Sequence, residues 1–293
     1  MEKYRDFEDK STGICPWIYR KEESSFLKPI SFILTLPVRI FALLVFIPIY
    51  LIFLTIPSLG ILTMRTHNLV FFWIFRSLYF IKIVDNKKNT KTLTSRLIFA
   101  NFCNFNDFLI FGEKIYPDFA VFPAEKLFHE KTTEYSPENN LIVPFFIAFL
   151  AENSIFAKIY YKIFASNDFL RHFKKSQGKY LIFGEGTKSN NEGILKFYPS
   201  FSDEILEKIA ENEKISVASI KYKIVRKTKK INYFEAFYSQ KMIENPPKSD
   251  LLNFYRDEMF SASISQESQN LTFQKVDLDL NDFVKFMKFC QKK

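Results

Sequence analysis

Three stretches of this chain carry residue types that chemistry can use. The first, Asn101-Phe102-Cys103-Asn104-Phe105-Asn106-Asp107, ends in a carboxylate able to act as a weak base. The second is Pro144-Phe145-Phe146, followed by Ile155-Phe156-Ala157-Lys158. The third is Phe183-Gly184-Glu185-Gly186-Thr187-Lys188-Ser189, in which Gly184 and Gly186 permit close backbone approach to a ligand. Alone, Gly-Glu-Gly-Thr also describes an ordinary strand-to-loop turn; the order of the three stretches gives it weight. No Gly-x-Ser-x-Gly elbow, Walker loop or Gly-x-Gly-x-x-Gly occurs, so serine hydrolase, NTPase and dinucleotide-binding readings have no residues to rest on.

In order and spacing the three stretches resemble the blocks of the glycerophospholipid acyltransferase family, whose enzymes acylate lysophosphatidic acid and related lysolipids from acyl-CoA. The family patterns are Asn-His-x-Ser-x-x-Asp, Pro-Phe-Phe-Gly…Ile-Phe-Ile-x-Arg and Phe-x-Glu-Gly-Thr-Arg-Ser. Val121-Phe122-Pro123-Ala124-Glu125-Lys126-Leu127 is similar to a further strand-and-turn of the family, and Val217-Ala218-Ser219-Ile220 stands at its fourth block without the usual proline. The likeness covers residues 95 to 225. The opening Asp9-Lys10-Ser11-Thr12-Gly13-Ile14-Cys15-Pro16 resembles a fungal lysophosphatidic acid:oleoyl-CoA branch of the family, found at the endoplasmic reticulum and lipid droplets.

The resemblance implies that Asp107 belongs to a catalytic pair and that Lys158, Glu185, Gly186, Thr187 and Lys188 bind substrate. Lys188 and Lys158 (with Lys162 as the alternative) stand where the family has arginines, and two cations suit a lysophosphatidic acid phosphate. Lysine does so as a point charge without the arginine fork. It also implies acyl-CoA as co-substrate and no bound cofactor; separately, the basic excess after the apolar run (Arg65, Arg76, Lys82, Lys87 and Lys88) predicts a domain facing the cytosol. One departure is large: the family's general-base His position holds Phe102, which cannot accept a proton. A positioned base contributes roughly 10²–10⁴ in rate. The sequence therefore leaves two readings open, an enzyme with an atypical site and a catalytically inactive relative that binds lipid or organises lipid droplets. His129 and His172 are the histidines that a fold could return to the site.

The resemblance also implies a hydrophobic N-terminal anchor, and the chain offers a candidate. Ile40 to Leu62 is a run of 23 uncharged residues, and Arg39 is the one charge between Pro29 and Leu62. About 20 apolar residues suffice to cross a bilayer core as a helix. Pro48 falls mid-run, where it kinks a helix, so a hairpin and a kinked single span are both open. Mixed charges precede the run and no cleavage site follows, which excludes a signal peptide. Leu69 to Val84 contains Arg76 and Lys82 and reads as an interfacial helix. The expected division is a cap segment over 1–28, a membrane anchor over 29–84 and an acyltransferase-like domain over 95–293.

From Ser95 onward short apolar runs alternate with polar turns. Strands are expected over 96–101, 119–122, 179–183, 215–225 and 231–237, and helices over 107–116, 144–152, 202–212 and 283–290. The alternation implies an α/β domain with a mostly parallel central sheet. The chain's 36 phenylalanines against 7 glycines exclude disorder and collagen-like classes. Three scattered cysteines and three scattered histidines offer no disulfide framework or metal spacing, so no metal is expected. The net charge of +9 is densest at Lys221 to Lys230, where alternation reads as a strand with one wet face. A solvated strand and contact with phospholipid headgroups both fit that run; nucleic acid is not expected as a partner.

Overall fold

The structure, a computed structural model, describes residues 7–12, 14–17, 37, 40, 41, 44, 45, 48, 72, 76, 81–85, 95–104, 106–123, 140–152, 169–190, 193–197, 201, 203–227, 231–243, 246–264, 274–278, 282, 285 and 286. Leu97–Ala100 and Tyr180–Phe183 are short, continuously apolar runs with every residue buried, as expected of strands covered on both faces. They are strands β2 and β5. β1 (Ile81–Asp85) precedes both, and between them come α1 (Asn106–Lys114), β3 (Phe119–Pro123), β4 (Asn140–Pro144), α2 (Phe145–Glu152) and α3 (Phe169–Lys175). After β5 follow β6 (Gly193–Ile194), α4 (Asp203–Ala210), β7 (Ile215–Lys227), β8 (Ile231–Ile243), α5 (Leu251–Ile264) and β9 (Gln274–Lys275).

Seven strands form one mixed sheet in the order β1-β8-β7-β2-β5-β3-β4, and β6 pairs with β9 apart from it. The inner strands β7, β2, β5 and β3 are mutually parallel. Antiparallel pairing enters through β3–β4 and β7–β8, and β1 adds parallel to β8. The expected α/β architecture with a mostly parallel sheet is present. Strand alternation sends Ile98, Ala100, Leu181 and Phe183 to one face, where they pack with Phe102, Phe108, Phe122 and Phe145. Leu97, Phe99, Tyr180 and Ile182 go to the other face, against Phe169, Leu206 and Tyr255. In α4, Ile205, Leu206 and Ile209 supply the buried stripe, at the spacing of one helix face.

The stretch expected to be an interfacial helix through Val84 ends differently. Ile81–Asp85 is a sheet strand in register with Phe234 to Tyr238. Upstream of it, Phe72 is 1% exposed and Arg76 pairs with Glu113 on α1. Its β-branched Ile81, Ile83 and Val84 favour a pleated, half-buried surface, and β8 offers an edge for them to join. Most of the expected membrane stretch lies outside the described residues. Among those described, no helix is long and apolar enough to cross a membrane. Helical residues Ile40, Phe41, Leu44 and Val45 are exposed large hydrophobics.

Residues 7–12 and 14–17 fold onto the C-terminal part of the chain. The buried Asp9 carboxylate accepts hydrogen bonds from the Ser11 hydroxyl, the Thr12 amide and hydroxyl, and the Asp277 amide. Phe7 and Trp17 contact the Phe286 ring at centroid distances of 5.3 and 5.6 Å.

Candidate functional site

Parallel pairing places Ala100 opposite Phe183, so the two loops leave β2 and β5 side by side at the carboxyl ends of the strands. In open α/β sheets that is where ligands bind. Neighbouring β7 closes the group. The Asn101 side chain donates to the Ile220 carbonyl and accepts from the Ile220 amide, both at 2.9 Å, and so ties the first loop to the third strand. The Ser189 amide donates to the Phe102 carbonyl at 2.8 Å, tying the first loop to the glycine loop.

Two buried carboxyl groups hold the loop from Phe102 to Asn104. Glu185 Oε2 accepts from the Phe102 amide at 2.9 Å, and its Oε1 accepts from the Leu195 amide at 2.8 Å. Asp107 Oδ2 accepts from the Cys103 amide at 2.6 Å and the Asn104 amide at 3.0 Å. Asn104 in turn accepts from the Asn106 amide at 2.8 Å. Asn104 and Asp107 thus form a reciprocal cap on α1, with the residue three places on reaching back to the cap amide. This gives Asp107 a structural duty independent of any catalytic one. Its other oxygen, Oδ1, accepts from the Tyr222 hydroxyl of β7 at 2.5 Å.

Burial dominates the electrostatics. It raises the Asp107 carboxyl to about 6, against the hydrogen bonds from Tyr222, Cys103 and Asn104 that favour its ionised form. It raises Glu185 to about 8, against two backbone donors. The Cys103 thiol is pushed well up by burial and by the two neighbouring carboxylates, leaving it protonated and unreactive. The Tyr222 phenol is pushed well up by burial and by Asp107.

The aromatic residue at the expected base position lies in the core. Phe102 has no exposed surface and packs against Phe183, Phe108 and Phe122 at 4.7, 5.8 and 6.1 Å between centroids. Lys188 Nζ stands 5.3 Å from the same ring. Glu185 and Thr187 are buried beside it, and Gly186 has φ of 68°, a left-handed conformation that glycine adopts without strain. Gly184 meets the Phe197 ring closely enough that a Cβ would lie 2.9 Å from it.

The structure therefore brings together Asp107, Glu185, Gly186, Thr187 and Lys188. Lys158 and His129 lie outside the described residues. His172 does not join the site: it bonds the Tyr180 hydroxyl at 2.8 Å near the opposite end of β5, and burial lowers its basicity. Sequence reasoning missed Tyr222. Its alternation with Lys221 and Lys223 marks it as the dry-face residue of β7, yet alternation gives a face and not a partner. No group of side chains among the described residues is arranged to hold a metal ion. No protein-family model, curated protein or solved structure matches this chain.

Proposed function

We propose that the chain is a membrane-associated, acyl-CoA-dependent acyltransferase that acylates lysophosphatidic acid or a related lysophospholipid in glycerolipid synthesis. The observation that carries this reading is the convergence of Asp107 with the Gly184–Ser189 loop at the carboxyl ends of adjacent parallel strands. Their order in the sequence is that of the acyltransferase blocks, and their adjacency is what a two-substrate site needs. Lys188 at the mouth of the glycine loop supplies charge for the lipid phosphate, with Lys158 as its expected companion. The exposed helical face of Ile40, Phe41, Leu44 and Val45 suits a lipid environment. On this reading the chain works at the endoplasmic reticulum membrane or lipid droplets, with the domain facing the cytosol.

A second reading is favoured by one specific observation. Phe102 is sealed in the aromatic core and Asp107 is engaged as a helix cap, which is how a relative that kept its fold and lost its base would look. The deciding experiment is transfer of labelled oleoyl from oleoyl-CoA to lysophosphatidic acid by the detergent-purified full chain, with lysolipid binding measured in parallel. Transfer that Asp107→Asn abolishes supports the enzyme. Binding without transfer establishes the inactive relative.

A further inference from the structure

Asp107 cannot be reached directly. It has no exposed surface, Oδ2 already holds two backbone amides, and Oδ1 is covered by the Tyr222 hydroxyl. Tyr222 itself is half-buried, and its ring packs on the apolar core. Its hydroxyl is the group seated on Oδ1, so a proton passing between a bound hydroxyl and that oxygen goes through it. Asp107 also senses Lys188, and the ionisable Cys103 and Glu185 lie around the same loop.

We propose that Tyr222 is a catalytic residue of this site, relaying the proton of the acceptor hydroxyl to Asp107 in place of the missing imidazole. The inference rests on the acyltransferase reading. In the step, the lysolipid hydroxyl passes its proton to Tyr222 Oη while the tyrosine proton moves to Asp107 Oδ1. The freed oxygen forms the new C–O bond at the thioester carbonyl, and the C–S bond breaks. The coenzyme A thiolate then recovers the proton from Asp107 through Tyr222, leaving a free thiol, a neutral tyrosine and an ionised carboxylate. Because burial and the neighbouring carboxylate hold the phenol well above its ordinary value, no tyrosinate accumulates and the two transfers are coupled. Asp107, raised to about 6, is ionised at neutral pH and ready to receive.

The test compares wild type and Tyr222→Phe in oleoyl transfer from oleoyl-CoA to lysophosphatidic acid, across pH, with lysophosphatidic acid binding measured alongside. The ring is kept, so packing on the core is kept. The expected result is a loss of roughly 10²–10⁴-fold in kcat at every pH, with binding unchanged. If the hydroxyl merely tunes Asp107, Tyr222→Phe keeps its plateau rate at about pH 7.5 and only moves the acidic limb upward, since a bond that favours the carboxylate is gone. That result overturns the relay and leaves the enzyme standing. A wild type that binds lysolipid without transferring acyl overturns the acyltransferase reading and the relay together.

Discussion

Restoring the missing histidine is the obvious engineering step, and the packing around residue 102 says it fails. Phe102 is fully buried, with ring contacts to Phe108, Phe122 and Phe183 and with the Lys188 cation near its face. Phe102→His places two polar ring nitrogens among phenyl groups. Each buried, unsatisfied polar atom costs about 1–3 kcal/mol, so two cost about 2–6 kcal/mol. A domain of this size loses about 2–4 °C of Tm per kcal/mol, which puts the expected drop at about 4–24 °C. The apolar surroundings and Lys188 both disfavour the imidazolium, so the new side chain stays neutral. Thermal unfolding followed by intrinsic fluorescence in detergent reads the stability, and the oleoyl transfer assay reads the chemistry. A Tm within about 1 °C of wild type, together with faster transfer, would refute the reasoning. It would mean that residue 102 turns toward Asp107 at little cost.

Three further outcomes are expected. Glu185 is raised in the folded chain from 4.5 to about 8, so between those values the folded state holds more protons than the unfolded one. Its contribution to stability then falls as pH rises from about 4.5 to 8, by up to about 5 kcal/mol, and denaturant midpoints should show a decline that Glu185→Gln flattens. Gly184→Ala drives a methyl into the Phe197 ring and should cost about 1–3 kcal/mol in the same measurement; a neutral effect would show that the ring yields. Asp9→Ala removes the acceptor for four donors and should free residues 7–17, read as faster proteolytic clipping at the N-terminus with the core protected.

Much of the sheet was legible because its strands are short, apolar and bounded by polar turns. Leu97–Ala100 and Tyr180–Phe183 fall within the expected spans, and the helix from Asn106 announces itself by its acidic first turn. β4 was missed because Asn140–Pro144 runs straight into α2 and its continuous apolar texture hides the boundary. β1 was misread because its partner, β8, lies some 150 residues later and local periodicity carries no trace of it. At the site, the residues of the two loops were visible as motifs, but their duties were not. That Glu185 clamps Phe102 and Leu195, and that Asp107 caps its own helix, are facts of long-range and loop geometry. Tyr222 came to light because a strand register brings residue 222 over residue 107, a pairing no spacing rule encodes.

The N-terminal segment has a consequence for the apolar run that follows it. Asn190, next to the glycine loop, donates to the Cys15 carbonyl at 3.2 Å, and Trp17 sits against Phe286. Further on, Phe72 is buried against α2 and Arg76 is paired to α1. The chain is therefore fastened to one globular body at residues 15–17 and again at residues 72–76, on either side of its long apolar run. If that run enters a membrane, as proposed, two such fastenings require both of its ends to lie on the side of the globular body.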